Sequence, residues 1–79
     1  MNISVAVEAK VSAVKITSKD LIVALEDGRE VKVPLVWFPK LLKATVPQRT
    51  KYRFIGGGIG IHWPKIDEDL SVAGILAIR

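Results

Sequence analysis

The dipeptide Asp27-Gly28 constrains the fold more than any other feature of the sequence. A two-residue type I′ hairpin turn needs positive φ at both central residues, which Asp-Gly adopts at little cost. The segments on either side, residues 21–26 and 29–33, are rich in β-branched side chains and are predicted to be strands. Residues 11–17 alternate similarly and precede a polar turn at 18–20. We therefore predict a three-stranded antiparallel meander. Residues 3–9 also alternate, and either extend its first strand or form another.

The second half of the chain predicts short helices and a β-hairpin. Leu35, Phe38, Leu41 and Leu42 have helical spacing, which favours a helix over residues 38–44, and Thr45 is suited to cap a following helical turn. Residues 51–55 and 59–63 are predicted to be strands joined by a glycine turn, with Pro64 ending the second. A last helix over 72–78 is expected to begin after the N-cap Ser71 and to bury one face, formed by Val72, Ile75 and Leu76.

Chain length and composition limit the class of protein. A chain of 79 residues is expected to form a single α+β domain over residues 1–79. Such a chain buries only about 60% of its unfolded surface, so a homodimer would add burial. The absence of cysteine fits a reducing compartment. Without a basic N-terminal start or an uncharged run near ~20 residues, we predict no signal peptide, no membrane span and a cytoplasmic location.

Charge is distributed unevenly along the chain. Residues 31–65 contain seven basic residues and no acidic one, whereas residues 66–79 contain three acids and one base. This pattern predicts an acidic partner surface, nucleic acid, or pairing with the chain's own acidic cluster. The nucleic-acid alternative would use phosphate contacts from Lys40, Lys43, Arg49, Lys51 and Arg53. In residues 51–54 the aromatic and basic side chains alternate, so they are expected on opposite faces, which argues against base stacking beside charge.

Two groups of residues could carry chemistry. The glycines of 56–60 are interpreted as a hairpin turn, because no helix or Gly-Lys-Ser/Thr sequence follows them. His62 with Asp67, Glu68 and Asp69 could form a metal or acid–base site, or the carboxylates could lie at the start of the last helix. Nothing marks a nucleophile, so we predict a non-enzyme without a cofactor. A small metal-dependent or acid–base enzyme is the least favoured reading.

The aromatic side chains divide between core and surface. We expect Phe38, Leu41, Tyr52 and Phe54 to lie in the core, because in so small a domain large apolar side chains are more often structural than functional. Trp37 and Trp63 each adjoin a proline or a helix start, and the sequence leaves open whether they are buried or form an interface.

Three blocks of sequence resemble a known family. They contain Asp27-Gly28-Arg29 with Val33-Pro34-Leu35, then Trp37-Phe38-Pro39-Lys40-Leu41 continuing to Tyr52, then Gly60-Ile61-His62-Trp63-Pro64 with Ile66 to Val72. Together they resemble the domain-of-unknown-function family 2442 of small bacterial proteins, over about residues 11–77. The resemblance implies a compact α+β fold. It also implies a neighbouring gene for another small protein, in an arrangement similar to toxin–antitoxin pairs, and it implies no catalytic residues.

These observations favour a non-catalytic binding or regulatory module that docks a small protein partner, in the manner of an antitoxin. The residues expected to form or support the docking surface are Trp37, Lys40, His62, Trp63, Asp67, Glu68 and Asp69.

Overall fold

The computed structural model describes residues 9–77, so the predicted strand over 3–9 lies almost entirely outside the described residues. The elements are β1 (Val11–Ile16), β2 (Asp20–Leu25), β3 (Glu30–Pro34), a 3₁₀ turn (Leu35–Trp37), α1 (Pro39–Lys43), α2 (Val46–Thr50), β4 (Arg53–Ile55), β5 (Gly60–Trp63), β6 (Glu68–Ser71) and α3 (Val72–Ala77). The predicted small α+β fold is confirmed. Its strands form two antiparallel three-stranded sheets, ordered β1-β2-β3 and β4-β5-β6.

The first sheet is the predicted meander, but its tight turn differs from the expected type. Gly28 has φ of 96°, whereas Asp27 does not have positive φ, so the turn is not type I′. Gly28 N–H donates to the Leu25 carbonyl, and Leu25 N–H donates to the Arg29 carbonyl. These bonds close a three-residue loop in which a single left-handed glycine follows an ordinary turn. The difference from a type I′ turn affects only the turn itself, because the register of β2 and β3 still pairs Ala24 with Glu30.

The central segment forms two short helices separated by two residues. Pro39 occupies the first turn of α1, where its missing N–H costs nothing. Thr45 caps α2 as predicted: its hydroxyl accepts from Gln48 N–H, and the Gln48 side chain accepts from Thr45 N–H. The predicted helix over 38–44 is thus present with slightly shorter bounds.

The second sheet has one strand more than the predicted hairpin. Pro64 ends β5, but residues 64–67 form a turn, and β6 then pairs back along β5. The acidic residues before α3 therefore belong to a turn and a strand rather than to the start of a helix, which corrects one interpretation offered for them. Ser71 alone performs the predicted capping, since its hydroxyl accepts from Gly74 N–H at 2.9 Å.

The core combines side chains from both sheets, the 3₁₀ turn, α1 and α3. Its fully buried large side chains include Trp63, Leu21, Leu35, Leu41 and Ile61, and Phe38 is buried as well. Phe54, predicted to be core, is 39% exposed because β4 is an edge strand with no buried residue. Val72 and Ile75 bury one face of α3 as predicted, whereas Leu76 stays exposed.

Two backbone hydrogen bonds attach the glycine turn to the rest of the domain. Val11 N–H donates to the Gly58 carbonyl at 2.8 Å, and Val72 N–H donates to the Ile59 carbonyl at 2.9 Å. The turn that the sequence predicted thus also joins the two sheets and the last helix. Within residues 9–77, no helix has the length and apolar character that crossing a bilayer requires.

Candidate functional site

Two side-chain contacts bring most of the predicted docking residues together. The Lys40 ammonium, on the first turn of α1, donates to the Asp67 backbone carbonyl at 3.0 Å. His62 Nδ1 lies against the Asp69 carboxylate, across the antiparallel pair of β5 and β6. Lys40 and Asp67 are 27 positions apart in sequence, and their contact places α1 beside the β5–β6 turn. The candidate surface therefore spans three elements of structure.

The β5–β6 turn aims the carbonyl that Lys40 contacts. Ile66 N–H donates to the Trp63 carbonyl, with Pro64 in the second position of the turn, where its fixed φ is favourable. Asp67 closes the connection with φ of 52°, a conformation that aspartate tolerates better than most residues. Sequence reasoning treated Pro64 only as the end of a strand. Its preference for the second position of a turn was the signal that could have revealed β6.

The two tryptophans have different roles. Trp37, in the 3₁₀ turn three residues before Lys40, is 47% exposed, and its neighbour Val36 is also exposed. Trp63 is 0% exposed, and its indole N–H donates to the Arg49 carbonyl at 3.0 Å. The sequence left open whether Trp63 is buried or forms an interface, and its side chain belongs to the core, beneath the candidate surface. Trp37 is the tryptophan that is exposed at the surface.

The acidic residues do not form one cluster. Because successive strand residues point to opposite faces, Glu68 and Asp69 diverge. Asp69 lies opposite His62, and Glu68 lies opposite the buried Trp63. Among residues 9–77, no group of three or more histidines and carboxylates is arranged to hold a metal ion. What the described residues retain of the metal or acid–base alternative is one pair, the half-buried His62 with the exposed Asp69.

The basic residues of the nucleic-acid alternative are not equally available. Arg49 uses its guanidinium to hold two backbone carbonyls at the end of α1: Nε donates to Leu41 at 3.0 Å and a terminal nitrogen to Leu42 at 2.9 Å. Lys40 contacts Asp67, as described above. Lys43, Lys51 and Arg53 have exposed side chains. Of the five residues predicted to contact phosphate, these three have side chains that an external ligand can reach.

Comparison with known proteins agrees with this picture of the fold. The family described as "Protein of unknown function (DUF2442)" matches residues 11–79. The crystal structure of a protein of unknown function from Rhodospirillum rubrum ATCC 11170 is 30% identical, with a TM-score of 0.74 over 89% of this chain and 87% of that one. No curated protein matches the sequence. The family match covers nearly the whole chain, and the protein belongs to the DUF2442 family.

Proposed function

We propose that this protein is a non-catalytic binding module that docks a small protein partner. The docking surface consists of Trp37, Lys40, His62, Asp67 and Asp69, with Trp63 supporting it from the core and Glu68, half-buried, on the same side of the sheet as Trp63. The observation that carries the proposal is the hydrogen bond from Lys40 to the Asp67 carbonyl, which joins the exposed Trp37 region to the β5–β6 turn. Exposed tryptophan beside fixed polar groups is a frequent composition of interface centres.

The chemistry of the surface supports a protein partner. The Trp37 ring offers apolar area, and Asp67 and Asp69 are exposed as well. The Lys40 contact spans two elements and fixes the position of both, which lowers the entropy lost on binding. Polar groups held in this way set orientation, while the tryptophan supplies most of the affinity.

A regulatory, antitoxin-like role is the form of binding that we propose. Its support is the resemblance already noted, which implies a small protein encoded beside the gene for this one. We also propose a cytoplasmic location, supported by the absence of cysteine. A homodimer is the other arrangement through which the Trp37 surface could be covered.

Co-expression of this chain with the small protein encoded next to it tests the proposal. We expect the two to co-purify, and Trp37→Ala to weaken the measured affinity by at least about tenfold, as for an interface centre. Val46→Glu, which changes another exposed apolar residue in α2, is expected to leave the affinity unchanged.

Failure to co-purify would contradict docking of that partner. Light scattering on the chain alone, with Trp37→Ala as the comparison, separates the homodimer from a monomer. A dimer that Trp37→Ala dissociates would show that a second copy covers this surface.

Nucleic-acid binding is the second candidate function, supported by the exposure of Lys43, Lys51 and Arg53. It predicts affinity that falls steeply with salt, because each neutralised phosphate releases counterions. Filter binding at low and moderate salt is the measurement, with these three residues changed to glutamate. Unaltered binding by that variant would contradict the contacts assigned here.

A further inference from the structure

The sequence Asp27-Gly28 lies at the surface, in the loop that joins β2 to β3. Both residues are exposed, and a Cβ built on Gly28 would meet nothing within 4 Å. Of the four aspartates of the chain, at positions 20, 27, 67 and 69, only Asp27 is followed by glycine. Neither residue belongs to the docking surface of the proposed function, so this loop is a separate feature of the molecule.

An aspartate that precedes glycine is able to react with its own main chain. The Gly28 nitrogen attacks Asp27 Cγ, a bond forms between them, and the Cγ–OH bond breaks, so that the hydroxyl leaves as water with the amide proton. The product is a five-membered succinimide ring. Glycine favours this step because it has no Cβ to shield its nitrogen.

Water then opens the ring at one of its two carbonyls, adding hydroxyl to the carbonyl carbon and a proton to the nitrogen. Cleavage at Cγ restores aspartate. Cleavage at the Asp27 backbone carbonyl gives isoaspartate, in which the main chain runs through Cγ and is one carbon longer. Water is the only reactant, and no atom is oxidised or reduced.

The nitrogen that must attack is restrained by one hydrogen bond. Gly28 N–H donates to the Leu25 carbonyl at 3.1 Å, at the exposed end of the hairpin. Exposed loops of this kind open locally at a much smaller cost than unfolding of the whole domain. The nucleophile therefore becomes available without loss of the core.

Arg29 holds both oxygens of the carboxyl that must be attacked. Its backbone N–H donates to Asp27 Oδ1 at 3.0 Å, and its Nε donates to Oδ2 at 2.8 Å. A terminal guanidinium nitrogen also lies 2.8 Å from Oδ2. Ring closure requires rotation of the Asp27 side chain and backbone, and these contacts restrict that rotation.

Arg29 also opposes the protonation that the reaction needs. The protonated carboxyl can release water, whereas the carboxylate would have to release a far poorer leaving group. The side-chain hydrogen bond from Arg29, with its backbone hydrogen bond and its charge, holds the pKa of the Asp27 carboxyl below its ordinary value. Loss of the Arg29 side chain would thus free the carboxyl and raise its protonated fraction together.

We propose that Asp27-Gly28 is a site of spontaneous isoaspartate formation, and that the Arg29 side chain controls the rate. The modification lengthens the main chain between Ala24 and Glu30, which are paired across the hairpin. The bond from Leu25 N–H to the Arg29 carbonyl closes the same loop and is strained by the extra carbon. The modified hairpin is therefore less stable than the original.

Incubation of the full chain at a fixed neutral pH, below its melting temperature, tests the site. Digestion after lysine releases residues 20–32, and liquid chromatography with mass spectrometry separates the aspartyl and isoaspartyl forms of this peptide. We expect isoaspartate to accumulate at Asp27 and not at Asp20, which precedes leucine in the same peptide. The chain unfolded in urea lacks the loop contacts and should react fastest. Absence of isoaspartate at Asp27 in both the folded and the unfolded chain would overturn the proposal.

Matched arginine variants test the control by Arg29. Arg29→Gln leaves the lysine-bounded peptide intact and is expected to react about two- to fivefold faster than the wild type, the factor that an exposed ion pair can supply. Arg53→Gln makes the same change at an exposed position of β4 and should react at the wild-type rate. Equal rates for the two variants would refute a role for Arg29.

A third variant separates a direct effect of Arg29 from a general loss of stability. Trp63→Phe weakens the core but keeps Asp27, Gly28 and Arg29, so its folded form should react at the wild-type rate. Acceleration as large as that of Arg29→Gln would show that the reaction follows global unfolding, and would refute control by Arg29. The purified isoaspartyl form should melt at a lower temperature than the unmodified chain, and an unchanged melting temperature would contradict the effect on the hairpin.

Discussion

The buried indole of Trp63 connects the second sheet to the helical segment. Its N–H donates to the Arg49 carbonyl, and its ring contacts Tyr52. A buried tryptophan whose N–H has a partner contributes both packing and a satisfied polar group. Trp37 contributes less packing, since it is 47% exposed.

Trp63→Phe is expected to lower the free energy of unfolding by about 1–3 kcal/mol, because it leaves the Arg49 carbonyl without its donor and a small cavity in the core. Trp37→Phe serves as the matched control and should change stability by less than about 0.5 kcal/mol. Urea denaturation followed by far-UV circular dichroism measures both. Similar losses for the two variants would contradict the burial described here.

The Asp27–Arg29 pair gives the first hairpin a dependence on pH. Hydrogen bonds and charge from Arg29 hold the pKa of the Asp27 carboxyl below its ordinary value. A lowered folded-state pKa stabilises the fold at pH values above the unfolded pKa of about 3.9, and this contribution disappears as pH falls through the folded pKa.

Asp27→Asn, which keeps a residue favourable to turns, is therefore expected to flatten the acid side of the stability profile. The melting temperature of this variant should fall less than that of the wild type between about pH 5 and about pH 2. Arg29→Gln removes the cause of the shift and should flatten the profile in the same direction. A wild-type slope in both variants would show that the pair has no effect on stability.

Among the elements, the glycine turn between β4 and β5 has the strictest backbone requirement. Gly58 has φ of 116°, and a Cβ there would lie 3.0 Å from the Val11 carbonyl oxygen and 3.1 Å from Lys10 Cβ. Gly57 has φ of 73°, but a Cβ there would meet nothing within 4 Å. Of the two, only Gly58 must lack a Cβ for the turn to contact β1.

Gly58→Ala is expected to cost about 2–4 kcal/mol, since it combines left-handed strain with a clash against the β1 backbone. Gly57→Ala carries the strain alone and should cost about 1–2 kcal/mol. Chemical denaturation of the two variants gives the difference. Equal costs would indicate that the turn does not pack against β1.

At the scale of the whole molecule, Arg49 in α2 connects its own helix to the end of α1 and to strand β5. Its side chain holds the carbonyls of Leu41 and Leu42 at the end of α1, and its own carbonyl accepts from Trp63 in β5. The planar, forked guanidinium can reach two acceptors at once, which an ammonium at the same place does less well.

Arg49→Lys keeps the charge and is expected to destabilise the fold by about 1–3 kcal/mol, because hydrogen bonds from a charged donor are lost. Arg53→Lys, at an exposed position of β4, should be neutral within about 0.5 kcal/mol. Thermal and urea unfolding provide the measurement. If the two variants were equally stable, Arg49 would be an ordinary surface cation, as the nucleic-acid alternative requires.

The strands, turns and helix starts that could be predicted from the sequence depend on interactions between residues close together in the chain. Alternation predicted the meander, the glycine run predicted the β4–β5 turn, and Thr45 and Ser71 predicted two helix starts. Each depends on backbone preferences and on hydrogen bonds between residues a few positions apart. Strand β6 was missed because residues 68–71 carry no β-branched or alternating apolar signal.

Tertiary structure alone decided which candidate residues meet. The burial of Trp63, the exposure of Phe54 and the contact of Lys40 with Asp67 depend on which strand lies at an edge and which helix covers it. Such contacts join residues distant in sequence, and their energies come from packing and desolvation that no local pattern encodes. The sequence thus determined most of the elements, whereas the tertiary structure decided that Trp37, and not Trp63, is exposed.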